Sequence, residues 1–204
     1  PSVWRATGAI NQPRHQEAMK DELGCRSIVD GFVQSARRFP DRPALEIGTT
    51  VVTYEELHAR ASAVAATIAA HTVSHTAPLA AVLAYRSITA FAGVLGALMA
   101  GRGYVPLNPH FPVERTVSMF ERSDCHVIIA DAASQPMLVS LLEACDRELL
   151  VLLPDCASLD NLVRQFPGHR FLGTRELAAA HGADFASTVS GQSLAYLLFT
   201  SGST

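Results

Sequence analysis

Residues 194–199, LAYLLF, form an apolar run that opens directly into Thr200, Ser201, Gly202, Ser203 and Thr204. Hydroxyls on four of those five residues supply hydrogen-bond donors without bulk. Gly202 admits backbone conformations closed to other residues, so that successive N–H groups can turn toward one anion. A loop leaving the end of a parallel strand also sits where open α/β sheets bind ligands. Together these properties suit a polyphosphate. Ser, Thr and Gly are equally ordinary turn residues, so the pentapeptide alone leaves both readings open. The chain has no G-x-x-x-x-G-K-[ST], which excludes a Walker loop, and no G-x-S-x-G, which removes support for a hydrolase elbow.

Other chemistry-bearing residues are weaker candidates. Gly101 and Gly103 bracket a helix-to-strand turn, and Pro106, Pro109 and Pro112 fix the extended path beyond it. This G-R-G follows a helix rather than a strand, so it reads as scaffold and not as a dinucleotide fingerprint. His71 and His75 have i, i+4 spacing but no neighbouring Glu, and they fall short of a zinc site. Asp124 and Asp131 flank a strand as turn residues do, and neither has a partner that would assign it acid–base work.

The elements that must position these groups follow from periodicity. Residues 27–39 carry Ile28, Phe32, Val33 and Ala36 at helical spacing, and Pro40 ends the run. PALEIGTTVVTY (43–54) predicts a hairpin around Gly48, Thr49 and Thr50. Thr53 and Glu56 form a T-x-x-E capping box for a helix that turns Leu57, Ala61, Val64, Ala65 and Ile68 inward. From Pro78 onward, strands at 79–85, 104–107, 126–130 and 148–153 alternate with helices at 87–101, from about 112, and from 135. Ser87 caps the helix that Gly101 closes. Strands apolar throughout and separated by helices predict an α/β fold, a mostly parallel sheet flanked by helices. Residues 154–193 show only helical patches at LDNLVRQF and TRELAAAH and a polar connector, STVSGQS, before LAYLLF returns as one more buried strand.

At 204 residues, 49% hydrophobic and 17% charged, the chain suffices for one domain with a core or for a large part of a bigger one. A net charge of −3 without basic runs gives no footprint for nucleic acid or anionic lipid, and points to small-molecule or protein partners. No secretory h-region precedes residue 25, and the longest apolar run, 89–100, is shorter than the ~20 residues of a membrane span. Cys25, Cys125, Cys145 and Cys156 make no C-x-x-C pair and read as reduced thiols, which fits a cytoplasmic setting.

Three stretches, in order, resemble successive core motifs of the adenylate-forming enzymes: VTYEEL (52–57), LMAGRGYVPLNPHFPVER (98–115) and LAYLLFTSGST (194–204). FPDRPAL (39–45), ahead of the first, and RSDCHVIIAD (122–131), between the second and third, also fit in the right order, and within the superfamily the likeness is greatest to amino acid adenylation domains of nonribosomal peptide synthetases. Asn108 replaces a common Asp and Phe199 a frequent Tyr. The resemblance implies a large N-terminal domain, here incomplete over 26–204 and ending inside the phosphate-binding loop, behind an irregular arm at 1–25. It implies that Thr200, Ser201, Gly202, Ser203 and Thr204 bind the phosphates of ATP, used with Mg2+ to turn a carboxylic or amino acid into an acyl-adenylate. Transfer to the phosphopantetheine thiol of a carrier protein, or to CoA, would follow. Catalytic and metal-binding residues are expected beyond Thr204, so these 204 residues alone are expected to show no turnover. The alternatives are an acyl- or aryl-CoA ligase and a non-catalytic scaffold of the same fold.

Overall fold

A computed structural model describes residues 27–72, 77–178 and 189–200. The expected N-terminal arm, Cys25 and His75 lie outside the described residues, as do Ser201, Gly202, Ser203 and Thr204. The first helix, α1 (Asp30–Arg38), starts later than periodicity suggests. The Ser27 N–H and hydroxyl both donate to the Asp30 carboxylate, at 2.7 and 2.8 Å, and hold Ser27 in a turn ahead of the helix. β1 (Pro43–Ile47) and β2 (Thr50–Thr53) form the expected antiparallel hairpin. α2 (Tyr54–His71) begins at the expected capping box: the Thr53 Oγ1 accepts from Glu56 N–H at 3.2 Å, and the Glu56 carboxylate accepts from Thr53 N–H at 2.9 Å.

The remainder alternates strand and helix: β3 (Leu79–Leu83), α3 (Ile88–Met99), β4 (Gly103–Leu107), α4 (Val113–Ser123), β5 (Val127–Ala130), a 3-10 turn (Ala132–Ser134) and α5 (Gln135–Glu143). β6 (Leu150–Leu153), α6 (Asp160–Gln165), β7 (Arg170–Gly173) and α7 (Thr174–Ala178) complete it. The sheet is parallel and five-stranded, in the order β4-β3-β5-β6-β7. β7 is a strand that periodicity did not announce; RFLG is too short for its alternation to register, and pairing with β6 supplies what local pattern does not.

Side-chain parity divides the sheet into two dry faces. Ala80, Val82, Val127, Ile129, Leu150 and Leu152 pack under Val64, Ile68 and Ala97 of α2 and α3. Ala81, Leu83, Val105, Ile128, Val151 and Leu153 pack under Phe120, Leu138 and Leu141 of α4 and α5. Every residue of β3, β5 and β6 is buried, as expected of central parallel strands covered on both sides. α2 and α3 approach closely because Gly96 has no side chain: a Cβ there would sit 2.7 Å from the Val64 side chain and 2.8 Å from the Ala61 carbonyl.

With both faces closed, polar chemistry is confined to the loops at the strand ends, and at the C-terminal ends those loops are tied one to the next. Asp131, directly after β5, is 3% exposed. Its carboxylate accepts from the Ser87 hydroxyl at 2.7 Å, the Tyr85 N–H at 3.4 Å, the Ser134 N–H at 3.0 Å and the Ser134 hydroxyl. Ser87 also caps α3, its Oγ accepting from Ala90 N–H at 3.1 Å. Asp155, after β6, accepts the Ala132 N–H at 3.1 Å on each oxygen. The Thr174 hydroxyl, after β7, donates to the Pro154 carbonyl at 2.9 Å. Asp131 is thus a clamp between adjacent loops, more than the turn residue its position suggests.

Three expectations follow from these contacts. Gly96→Ala should destabilise the protein by about 2 kcal/mol despite alanine's better helix propensity, measured by urea denaturation. Asp131→Ala, which strands several buried donors, should cost about 3 kcal/mol, and Asp131→Asn less because one acceptor oxygen survives. Burial pushes the Cys125 thiol up to about 11, and its residue is fully buried; peptide-mapped thiol labelling at pH 8 should leave Cys125 unmodified until denaturant is added.

Candidate functional site

The segment bearing the candidate phosphate loop runs along the outer edge of β4. The Tyr104 N–H donates to the Ala195 carbonyl at 3.0 Å, and the Leu197 N–H donates to the Tyr104 carbonyl at 3.0 Å, giving one parallel bridge between Tyr104 and Tyr196. The two tyrosine rings lie 5.9 Å apart. Ala195, Leu197 and Phe199 pack inward, whereas Leu194, Tyr196 and Leu198 remain 48%, 47% and 56% exposed. The expected buried strand is therefore a half-buried edge segment held by a single bridge. An apolar sequence of this length does not distinguish the two, because it records hydrophobicity and not which neighbours are present to cover it.

The G-R-G turn positions this segment. The Arg102 Nη1 donates to the Ala77 carbonyl at 2.7 Å, and the Gly103 N–H to the Pro78 carbonyl at 2.9 Å, fixing the start of β4 against the chain entering β3. A Cβ on Gly103 would stand 3.0 Å from both the Leu194 carbonyl oxygen and its side chain, so the missing side chain is what lets the edge segment lie against β4. The scaffold reading of these glycines holds. Ahead of the segment, residues 190–193 form a turn closed by the Ser193 N–H on the Ser190 carbonyl at 3.0 Å.

Beyond the bridge, the Arg122 guanidinium lies 5.8 Å from the centre of the Phe199 ring, and Thr200 follows, exposed. Of the sequence-predicted site residues, Thr200 is the one described; Ser201, Gly202, Ser203 and Thr204 lie outside the described residues. His71 ends α2 with its imidazole held below the usual histidine range by burial and by Arg170, but the comparison with His75 falls outside the described residues. Asp124 is in the left-handed region, φ 51°, as the C-cap of α4, a turn role as its position suggests.

A second feature lies where the strand order reverses, between β3 and β5. Open α/β sheets place ligands at such a crevice. The cavity there, about 210 Å³, is walled by Tyr85, His110, Asp131 and Met137. Tyr85 meets His110 edge-on with ring centres 5.1 Å apart, and the Arg86 guanidinium lies 5.1 Å from its ring centre. Arg86 itself is held at φ 48°, a conformation uncommon outside glycine and concentrated at binding loops. This cavity does not fit a nucleoside triphosphate: its floor is a buried carboxylate, no Lys or Arg lines it, and it falls below the ~300 Å³ of ordinary cofactor pockets. Among the described residues, no group of three His, Cys, Asp or Glu could hold a metal ion, and no helix is long and apolar enough to cross a membrane.

Comparison with known proteins adds what geometry leaves open. The chain is 30% identical to tyrocidine synthase 3 of Brevibacillus parabrevis over 174 residues, which is 85% of this chain and 2% of that protein. Among solved structures it is similar to IdnL7, at 34% identity and TM-score 0.63, over 83% of this chain and 32% of that one. It is also similar to VinN in complex with L-aspartate, at 26% identity and TM-score 0.66, over 88% of this chain and 42% of that one. The chain thus spans a small part of the relatives it matches. The AMP-binding enzyme family matches residues 32–204, from α1 through the edge segment and its loop, and the chain belongs to that family.

Proposed function

We propose that these residues are the N-terminal part of a longer carboxylate-activating ligase, an adenylation domain in which an amino acid carboxylate takes the adenylyl group of ATP, releasing pyrophosphate, and the acyl group then passes to a carrier-protein phosphopantetheine thiol with release of AMP. What supports this most is the order of the motifs along one family match, ending in an edge segment that presents Thr200 at the exit from the sheet. A relative points toward amino acids: VinN, 26% identical to this chain, is known in complex with L-aspartate. A cytoplasmic setting suits both substrate and carrier.

In this reading Thr200, Ser201, Gly202, Ser203 and Thr204 hold the ATP phosphates. Phosphoryl chemistry of this kind depends on orientation and charge stabilisation more than on covalent help, and hydroxyls and amides supply both. Inward packing of Ala195, Leu197 and Phe199 fixes the segment ahead of the loop, so less ordering remains when ATP binds. Mg2+ is the cation expected with ATP; among the described residues no group of three or more His, Cys, Asp or Glu is assembled to hold it. An acyl- or aryl-CoA ligase is the second reading, because the residues that would discriminate the acceptor are not among these.

The test is ATP–pyrophosphate exchange by the full-length protein across a panel of amino and aryl acids. Exchange with at least one acid is expected, with Thr200→Ala and Ser201→Ala each lowering kcat/KM for ATP by about 100-fold. Absence of exchange with every acid would remove the proposal, and consumption of free CoA as acceptor would move it to the CoA ligases. Residues 1–204 expressed alone are expected to catalyse no exchange.

A further inference from the structure

On the α2–α3 face, near the C-terminal ends of the strands, α2, the start of α3, the exit of β6 and α7 line an open pocket of about 120 Å³. None of its lining residues belongs to β4 or to the edge segment beside it, so the pocket is separate from the Thr200 loop. Its inner wall is mostly apolar: Ala63, Val64, Ala92 and Leu177 are all buried and Ile88 is half-buried, with the buried Thr89 beside them. Its mouth carries two opposite charges, Arg60 on α2 and Asp155 after β6.

The two charges are not used up by the fold. Among the described residues, Arg60 makes no hydrogen bond or ion pair, with Asp155 or with any other group. The Asp155 carboxylate accepts the Ala132 N–H at 3.1 Å and lies 3.8 Å from the Cys156 thiol, which leaves acceptor capacity on both oxygens. The Thr174 hydroxyl, by contrast, is committed to the Pro154 carbonyl. An exposed cation and an exposed anion flanking an apolar cleft, with no ion pair between them, match a zwitterion with a hydrocarbon side chain. At roughly 15 Å³ per water-sized position, the pocket has room for about eight heavy atoms, the size of leucine or valine, and is too small for a nucleotide at ~300 Å³ or more.

We infer that this pocket is a second small-molecule site, one that takes an aliphatic α-amino acid with its carboxylate on Arg60, its ammonium on Asp155 and its side chain against Val64, Ala92 and Leu177. The inference does not rest on the proposed adenylation chemistry, because the site shares no residue with the Thr200 loop and needs no ATP. An amino acid bound there would contact α2, α3 and the loops after β6 and β7 together.

Calorimetric titration of the protein with L-leucine, without ATP, tests it, with circular dichroism confirming that each variant is folded. Binding with Kd on the order of 1 mM is expected. Arg60→Gln and Asp155→Asn should each weaken it about tenfold; the second keeps a carbonyl acceptor for the Ala132 N–H, so the loop stays tied. Two truncated probes separate the charges. Binding of 4-methylpentanoate, which lacks the ammonium, should respond to Arg60→Gln alone, and binding of 3-methylbutylamine, which lacks the carboxylate, to Asp155→Asn alone. L-serine should bind at least tenfold more weakly than L-leucine. No heat from L-leucine up to 50-fold above that Kd, equal binding of serine, or affinity unmoved by both substitutions would overturn the inference.

Discussion

A parallel sheet buried on both faces has only its strand ends at which to display polar groups, and here those ends are tied together by carboxylates. Asp131 is the central tie. It sits where the chain, having laid β4 on one side of β3, crosses to lay β5 on the other, so the loops after β3 and β5 diverge from neighbouring strands. One buried carboxylate satisfies donors from both loops, and a buried donor left without an acceptor costs more than a formed hydrogen bond returns. Asp155 and Thr174 extend the same arrangement across β6 and β7. The rim is therefore a connected hydrogen-bonded line, and the strand exits are held in register by it as well as by the sheet.

The edge segment next to β4 depends on a different constraint, the absence of a side chain. Gly103 lets the Leu194 backbone approach, and Arg102 and the Pro78 carbonyl hold Gly103 in place. Inward-facing Leu197 and Phe199 join the main core, which anchors one side of the segment, while Leu194, Tyr196 and Leu198 remain exposed. The same G-R-G that looks like a binding fingerprint in isolation is thus the seat on which the candidate phosphate loop rests.

Much of this was legible in the sequence, and for identifiable reasons. The capping box at Thr53 and Glu56, the Ser87 cap and the apolar strands β3, β5 and β6 are local or fully buried features, and local propensity and burial agree on them. β7 was not legible, because a four-residue strand is defined by its pairing with β6. Nor was the state of residues 194–199, whose composition is that of a buried strand but whose burial depends on what packs against it. Asp131 was placed correctly after its strand and still misjudged: the donors that make it a clamp come from Ser87 and Tyr85, distant in sequence. The spacing of Asp131 and Ser134, a small acidic residue followed by a hydroxyl, was the one local hint.

The central claim is that the edge segment on β4 delivers a phosphate-binding loop, and that the nucleotide does not occupy the Asp131 crevice. A crystal structure of the full-length protein with a non-hydrolysable ATP analogue tests both at once. Phosphate oxygens within about 3 Å of the Thr200 hydroxyl and the amides that follow it, with the Tyr104–Tyr196 bridge intact, is the predicted result. Phosphates bound in the cavity between Tyr85, His110 and Asp131, with Thr200 turned away, would contradict it.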